Sequence, residues 1–476
     1  MTKGGRQRPP FSCLRLLLLA GLLATAPCGP AARAALFHPQ TFTLKNGLVV
    51  VVIPNHRVPV VTQMVWYKVG SADEAPGKGG LAHMVEHMMF KGTPSVPAGR
   101  FSRLVAENGG RDNAFTTADY TAFYQSVAAD KLALVMRLES DRMAHLQLAD
   151  KDFQPERQVV LEERRLRIDS QPAARLEERM TAALFRISPY HHPVIGWPRE
   201  IKRYTLADVV AFHKRWYAPN NAILVLAGDI TAATARPLVE QYYGAIPARP
   251  LPPRRRAADP EAAAPRLVVL RDPDVTAPSW SRSYPAPSYH AGNTALAYPL
   301  QVLAEVLGGG ATSRLYKTLV VERKLASAVS TGYNPEAVGT TSFDLAADPA
   351  PGVPLARLRA ALDSLLADVA TRGVSAREVA RAKRHLAIDA AYARDSSHTG
   401  ARVLGAALAV GDRVADVEAW PERIAAVTPA DVDAAARAVL RRRASVTGLL
   451  LPAPGHADGN IGRALPAGRP WGRDLR

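Results

Sequence analysis

Apolar and polar positions fall into short runs whose period changes along the chain, and from residue 35 onward they predict strands and helices in mixed order. Residues 42–53 predict a β-hairpin, because two apolar runs flank Asn46-Gly47, a pair whose backbone suits a tight reversal. Residues 60–69 continue that sheet. A glycine-rich entry, Gly77 to Gly80, opens an apolar helical stretch reaching Phe90; a short helix over 100–107 follows, then Gly109-Gly110 and a strand-like stretch from Asn113 to Tyr124. Helices are expected over 129–143, 152–168, 173–186 and 206–216. The last leads through Pro219-Asn220-Asn221 into a buried strand over 222–227, closing a first lobe that spans 35–247.

Residues 248–265 break the pattern with five prolines, Arg254-Arg255-Arg256 and alanines, and predict an extended, exposed linker. Beyond it the first pattern returns in weakened form: strands over 267–270 and near 280–284, a helix over 297–307, and Gly308-Gly309-Gly310. Alanine-rich helices over 354–371 and 376–392 and a closing strand over 445–451 complete a second lobe, 266–454, which reads as a degenerate repeat of the first. The expected fold class is therefore α+β, two similar lobes that each pack helices on a mostly antiparallel sheet. The polar, glycine-rich residues 455–476 are expected to be disordered.

The start of the chain reads differently. Residues 1–34 carry Lys3, Arg6, Arg8 and Arg15, an apolar run over 16–26 and Ala32-Arg33-Ala34, the layout of a secretory signal peptide. The run is too short for the roughly 20 residues that span a bilayer. Cys28 offers lipidation as an alternative, but Pro27 before it fits such a cleavage site poorly. Both cysteines, Cys13 and Cys28, fall in this leader, so the mature chain forms no disulfide; export without thiols suits a periplasm. Lys and Arg number 60 against 43 Asp and Glu, a net charge of +17 that becomes about +12 without the leader's five basic residues. Such a balance favours an acidic partner, peptide or membrane surface. The basic residues are scattered, which argues against nucleic acid.

The candidate chemistry lies in the stretch after Gly80. His83 and His87 stand four apart, so a helix stacks them on one face, from which both reach one ion, with Glu86 beside them. Zinc takes neutral imidazole and carboxylate ligands and leaves a fourth position for water in catalytic sites. The five residues thus offer metal grip and general base together. Met84, Val85, Met88, Met89 and Phe90 make the segment apolar nearly all round, so the polar trio would be buried and need mutual partners. The alternative is a pair of core histidines with satisfied hydrogen bonds. A third ligand is expected from residues 152–170, where Val159, Val160 and Leu166 define an apolar stripe with Glu163 near its middle and Glu156 two turns earlier. A carboxylate on a buried stripe needs a metal or an ion pair, so Glu163 is the expected ligand, with an arginine pair as the alternative. Glu156 is expected to support a ligand from behind. His191 and His192 are adjacent and point apart, so they are expected to be solvated loop residues.

His83-x-x-Glu86-His87, followed 76 positions later by Glu163 in the run from Glu156, resembles the pitrilysin/insulinase family of inverted-motif zinc peptidases, which includes the mitochondrial processing peptidases and many two-lobed bacterial enzymes. The resemblance covers nearly the whole chain beyond the leader. It implies lobes that close as a clamshell around a chamber, one zinc ion per chain on His83, His87 and Glu163, and Glu86 as the catalytic base. It also implies that Asn113 and Ala114 lie on an edge strand that takes substrate by strand addition, a reading that sequence alone leaves level with a plain sheet edge. The second lobe has Val302-Leu303-Ala304-Glu305-Val306 where the motif would fall, so no metal is expected there. One departure matters. Active single-chain members present an Arg and a Tyr, seven apart, from the second lobe, and here Glu322 and Val329 take those positions; Arg314 and Tyr316 are spaced wrongly and read as structural. The expectation is a zinc metalloendopeptidase of the cell envelope acting on peptides or unfolded polypeptides, as the zinc-bearing subunit of a heterodimer whose related, zinc-less partner supplies Arg and Tyr. A non-catalytic scaffold subunit and a peptidase dedicated to one precursor peptide are the alternatives.

Overall fold

The strands collect into two sheets wound the same way. β1 (Gln40–Thr43), β2 (Val49–Pro54), β3 (Val60–Tyr67), β4 (Arg111–Thr116), β5 (Thr121–Ala128) and β6 (Ala222–Gly228) form the first, in the order β1-β2-β6-β3-β5-β4. β7 (Arg266–Asp272), β8 (Ser279–Ala286), β9 (Ala326–Tyr333), β10 (Thr341–Pro349) and β11 (Val446–Pro452) form the second, in the order β7-β11-β8-β10-β9. Without β1 the two orders are the same, down to one parallel pair, β2 with β6 and β7 with β11. The weak sequence repeat is thus a repeat of backbone winding in two α+β lobes. This computed structural model describes residues 36–454; the leader and the tail expected from sequence lie outside the described residues.

The first sheet is covered on both faces, which is why its central strands β3 and β6 are buried along nearly their whole length. On one face of the first sheet lie α1 (Leu81–Met88), α2 (Arg100–Glu107), α3 (Leu132–His145) and the helix Leu206–Trp216, joined in one core with Val65, Tyr67 and Phe123. The opposite face is covered from the second half of the chain: Ala401, Leu404 and Ala407 of the helix Ser397–Val410 pack on Met64, Trp66 and Val225. The exchange is mutual. After α4 (Asp150–Arg164), α5 (Pro172–Leu184) crosses to the second sheet, where Leu176, Met180 and Leu184, spaced by four, meet Leu270, Val446 and Leu450. Burying a side chain of this size contributes about 1.5–3 kcal/mol, so each crossing helix binds the two halves firmly.

Several sequence expectations need correction. The stretch 113–124 is not one strand but the hairpin β4–β5, turned at Thr117, whose N–H bonds the Tyr120 carbonyl at 2.8 Å. The helix expected over 152–168 gives way after Arg164 to a wider π-type turn, Arg165–Asp169. The linker is extended and mostly exposed, as expected, but it is not loose. Arg256 Nη1 meets Asp73 and Nη2 meets Asp119, each at 2.8 Å and almost wholly buried, and Asp259 accepts the N–H groups of Arg186, Ile187 and Ser188. Carboxylates supplied by the first lobe turn a Pro/Arg-rich tether into a tied strap. Among the described residues no helix is long and apolar enough to cross a membrane.

Candidate metal centre

The first turn of α1 is anchored before its chemistry begins. Gly80 precedes it at φ +90°, and a Cβ there would collide with the Ile195 carbonyl, so glycine is required. The N–H groups of Gly80 and Ala82 donate to the buried carboxylate of Glu74 at 3.0 and 2.6 Å, satisfying donors that a helix start leaves free. From this fixed start His83 and Glu86 are 7% and 8% exposed, and His87 is half-buried.

α4 packs across α1 and supplies the carboxylates. Glu163 Oε2 lies 3.6 Å from His83 Nε2 and 3.3 Å from His87 Nε2, and one ligand atom from each of the three residues lies within 4.8 Å of the others. Glu156 Oε1 takes the opposite ring nitrogen, His87 Nδ1, at 2.8 Å, while its other oxygen pairs with Lys91. Arg167 holds Glu163 Oε1 at 2.9 Å. The structure therefore brings His83, His87, Glu163 and Glu156 together as the spacing suggested. The stripe argument for Glu163 was wrong in one respect: Val160 is buried, but Val159 and Leu166 are 49% and 55% exposed. The face shared by Val159, Glu163 and Leu166 is open, and α4 buries Phe153, Val160 and Arg164 instead.

The donor set fits a zinc ion. Two imidazoles and a carboxylate converge, and the buried Glu163 Oε2 has no hydrogen-bond partner, the state of an atom shaped to meet a cation. Electrostatics agree. Burial pushes His83 down to about 4, leaving a neutral ring. Burial also pushes His87 down, but the hydrogen bond to Glu156 and the nearby carboxylate of Glu163 outweigh it and raise the imidazole to about 9. A cation placed among these groups would compete with that proton. Burial lifts Glu86 to about 7, moderated by a hydrogen bond from the Thr116 hydroxyl.

Thr116 ends β4, which has β5 on one side and, among the described residues, no strand on the other. Register puts Ala114 and Thr116 on the α1 side of the sheet and Asn113 and Phe115 on the opposite side. Asn113 and Ala114 thus sit on an open edge beside Glu86. Elsewhere, Glu322 is exposed and Val329 half-buried on β9, while Arg314 is consumed by Glu378 at 2.7 and 2.6 Å. His191 and His192 stand outside the metal cluster, but they are not solvated and pointing apart as expected: their rings meet edge to face at 5.2 Å, and the His192 side chain is only 11% exposed. Sequence reasoning missed Thr116, Lys91 and Arg167. The spacing of four between Glu163 and Arg167 is a helical signal, and Lys91 likewise follows His87 by four; Thr116 needed the strand register.

Residues 49–197 match the family profile described as insulinase (peptidase family M16), and 203–386 match that described as the peptidase M16 inactive domain. Zinc protease PqqE of Helicobacter pylori is 35% identical over 325 residues, 67% of this chain and 72% of that protein. The crystal structure of a protease from Helicobacter pylori superposes with a TM-score of 0.80 at 28% identity, covering 87% of this chain and 99% of that one. The periplasmic protease PqqL of Escherichia coli shares the fold at 19% identity and a TM-score of 0.73. There 90% of this chain covers 51% of the neighbour, and its first half, solved alone, is covered to 98%.

Proposed function

We propose, from the premise that the chain belongs to the insulinase family of peptidases (peptidase family M16), that it is a zinc endopeptidase of the cell envelope acting on peptides or unfolded polypeptides. The observation that carries this reading is the convergence of His83, His87 and Glu163 within 4.8 Å, with Glu86 on the same helix beside them. One zinc ion on these three residues would supply an electrophilic position for a substrate carbonyl and a water. Glu86 accepts the proton of the attacking water and passes it to the leaving amine; a carboxyl near pKa 7 is suited to both directions. Glu156 fixes the tautomer and plane of His87 from behind, and Lys91 holds Glu156. The open edge of β4 at Asn113 and Ala114 pairs with substrate backbone, which accepts many sequences. Val159 and Leu166, exposed on either side of Glu163, suit the apolar side chains of an unfolded chain.

A related second chain completes the enzyme in this reading. Glu322 and Val329 provide no guanidinium or phenol to steady an oxyanion, and the match to one half of a two-half fold supports a partner of similar shape. The periplasmic protease among the fold neighbours and the secretory layout of residues 1–34 support an envelope location. The test is Glu86→Gln. Elemental analysis should find about one zinc per chain in both proteins, and hydrolysis of a quenched fluorescent peptide should fall at least 10³-fold in the variant; an active variant, or a chain that holds no zinc, removes the reading.

A further inference from the structure

The helix Ser397–Val410 crosses the sheet face opposite the metal cluster, and from it Arg402 reaches over Phe115 of β4, with its guanidinium carbon 4.7 Å from the ring centroid. Among the described residues no carboxylate stands within ion-pair distance of this half-buried arginine, and its buried Nε has no hydrogen-bond partner. The other arginines drawn into the protein differ: Arg142, Arg164, Arg256, Arg282 and Arg314 each hold a carboxylate, and Arg157, Arg249 and Arg266 donate to main-chain carbonyls. A partly desolvated guanidinium without a counter-charge is costly; the aromatic face of Phe115 offsets only part of that cost. Arg402 is therefore poised for an anion.

Its position says where the anion comes from. Asn113 and Phe115 present their side chains to this face, and His398, one turn before Arg402, stands edge-on to Tyr124, the cross-strand neighbour of Asn113, at 5.0 Å. A strand added to the open edge of β4 alternates its side chains between the α1 face, where Glu86 lies, and this face, beside Phe115. Resting on the peptidase reading above, we infer that Arg402 determines specificity by receiving an acidic side chain of the peptide bound along β4. A guanidinium over an aromatic ring keeps its N–H edge free for a carboxylate, and such charge-assisted pairs are about twice as strong as neutral ones.

The experiment separates this inference from the chemistry it rests on. Two pools of fluorescein-labelled, C-terminally amidated decapeptides, identical except for Asp and Glu in one and Asn and Gln in the other, are titrated by anisotropy against the full chain carrying Glu86→Gln. The acidic pool should bind roughly tenfold more tightly. Arg402→Gln in the same protein should erase the difference and Arg402→Lys retain part of it. Arg372→Gln, an equal charge change at an exposed helix end, should leave it intact. Equal affinity for the two pools, binding of neither, or a preference that survives Arg402→Gln in a protein of unchanged melting temperature overturns the assignment. Cleavage of the pools by the unmutated protein mixed with a related chain supplying Arg and Tyr is read separately: cleavage without acidic preference sinks the role of Arg402 alone, and no cleavage of either pool by the two chains together sinks the peptidase reading.

Discussion

His83 and His87 are a case where residue spacing alone carries geometry, since four positions on a helix place two rings on one face whatever surrounds them. The structure adds what holds those rings and the neighbouring carboxylate. Thr116 donates to Glu86 from a different element, and no pattern in the sequence of β4 announces it. Replacing Thr116 with Val removes one donor from a buried carboxylate while keeping the side chain's shape. The expected outcome is a fall in kcat of about tenfold, with KM and zinc content unchanged, and Thr116→Ser restoring most of the rate. An unchanged kcat would show that the hydroxyl merely fills space. Glu163 teaches a different lesson. A residue that does lie against both imidazoles comes from a stripe that does not face the core, because helical projection gives which side chains share a face but not which way the face looks.

Among the elements, those with a strong period were legible almost to their ends: the helices 100–107 and 206–216 stand where their apolar spacing put them. The helix Ser397–Val410 escaped notice because it is alanine-rich and apolar nearly all round, giving no amphipathic stripe; it is buried between the first sheet and its own half. β9 and β10 escaped for a related reason, being rich in Ala, Ser and Thr with weak alternation. The crossing helix makes a sharp prediction. Alanine for glycine in a helix interior ordinarily stabilises by about 1 kcal/mol. At Gly405, however, any Cβ would collide with the buried Trp66 indole, and overpacking of that kind costs about 1–3 kcal/mol. Gly405→Ala should therefore lower the melting temperature, and a rise would show that the two halves are loosely joined there. A second element-level contact titrates. Burial pushes the Glu378 carboxyl up, but hydrogen bonds from Arg314 and Ser375 outweigh it and bring it down to about 2. Because the folded value lies below the unfolded one, its stabilisation is full above about pH 4.5 and is lost as pH falls towards 2. The melting-temperature gap between the parent and Arg314→Gln should narrow over that window; a gap independent of pH would dismiss the pair as a source of acid sensitivity.

At the scale of the whole molecule, the helix exchange makes the two halves one body, so neither half is free to close over a substrate on its own hinge without breaking the packing of Trp66 or Met180. In the two-chain reading proposed above, the open face by Val159, Glu163 and Leu166 is where the second chain would sit. The purified chain alone should bind zinc yet turn over a quenched peptide at least tenfold more slowly than with a related chain supplying Arg and Tyr; full turnover by a verified monomer would refute the need for a partner. Sequence by itself determined the strands and helices of strong period, the weak repeat between the halves, and the motif on α1 and the distant glutamate as candidates, since each rests on local spacing or on a pattern that recurs. Tertiary structure alone decided that α4 lies across α1, that each half lends a helix to the other's sheet, that Asp73 and Asp119 tie down the arginines of the strap, and that Arg402 meets an edge strand nearly 300 residues away. The physical reason is that local backbone geometry sets which residues share a face, whereas the partner of that face is chosen by burial and charge pairing across the folded chain.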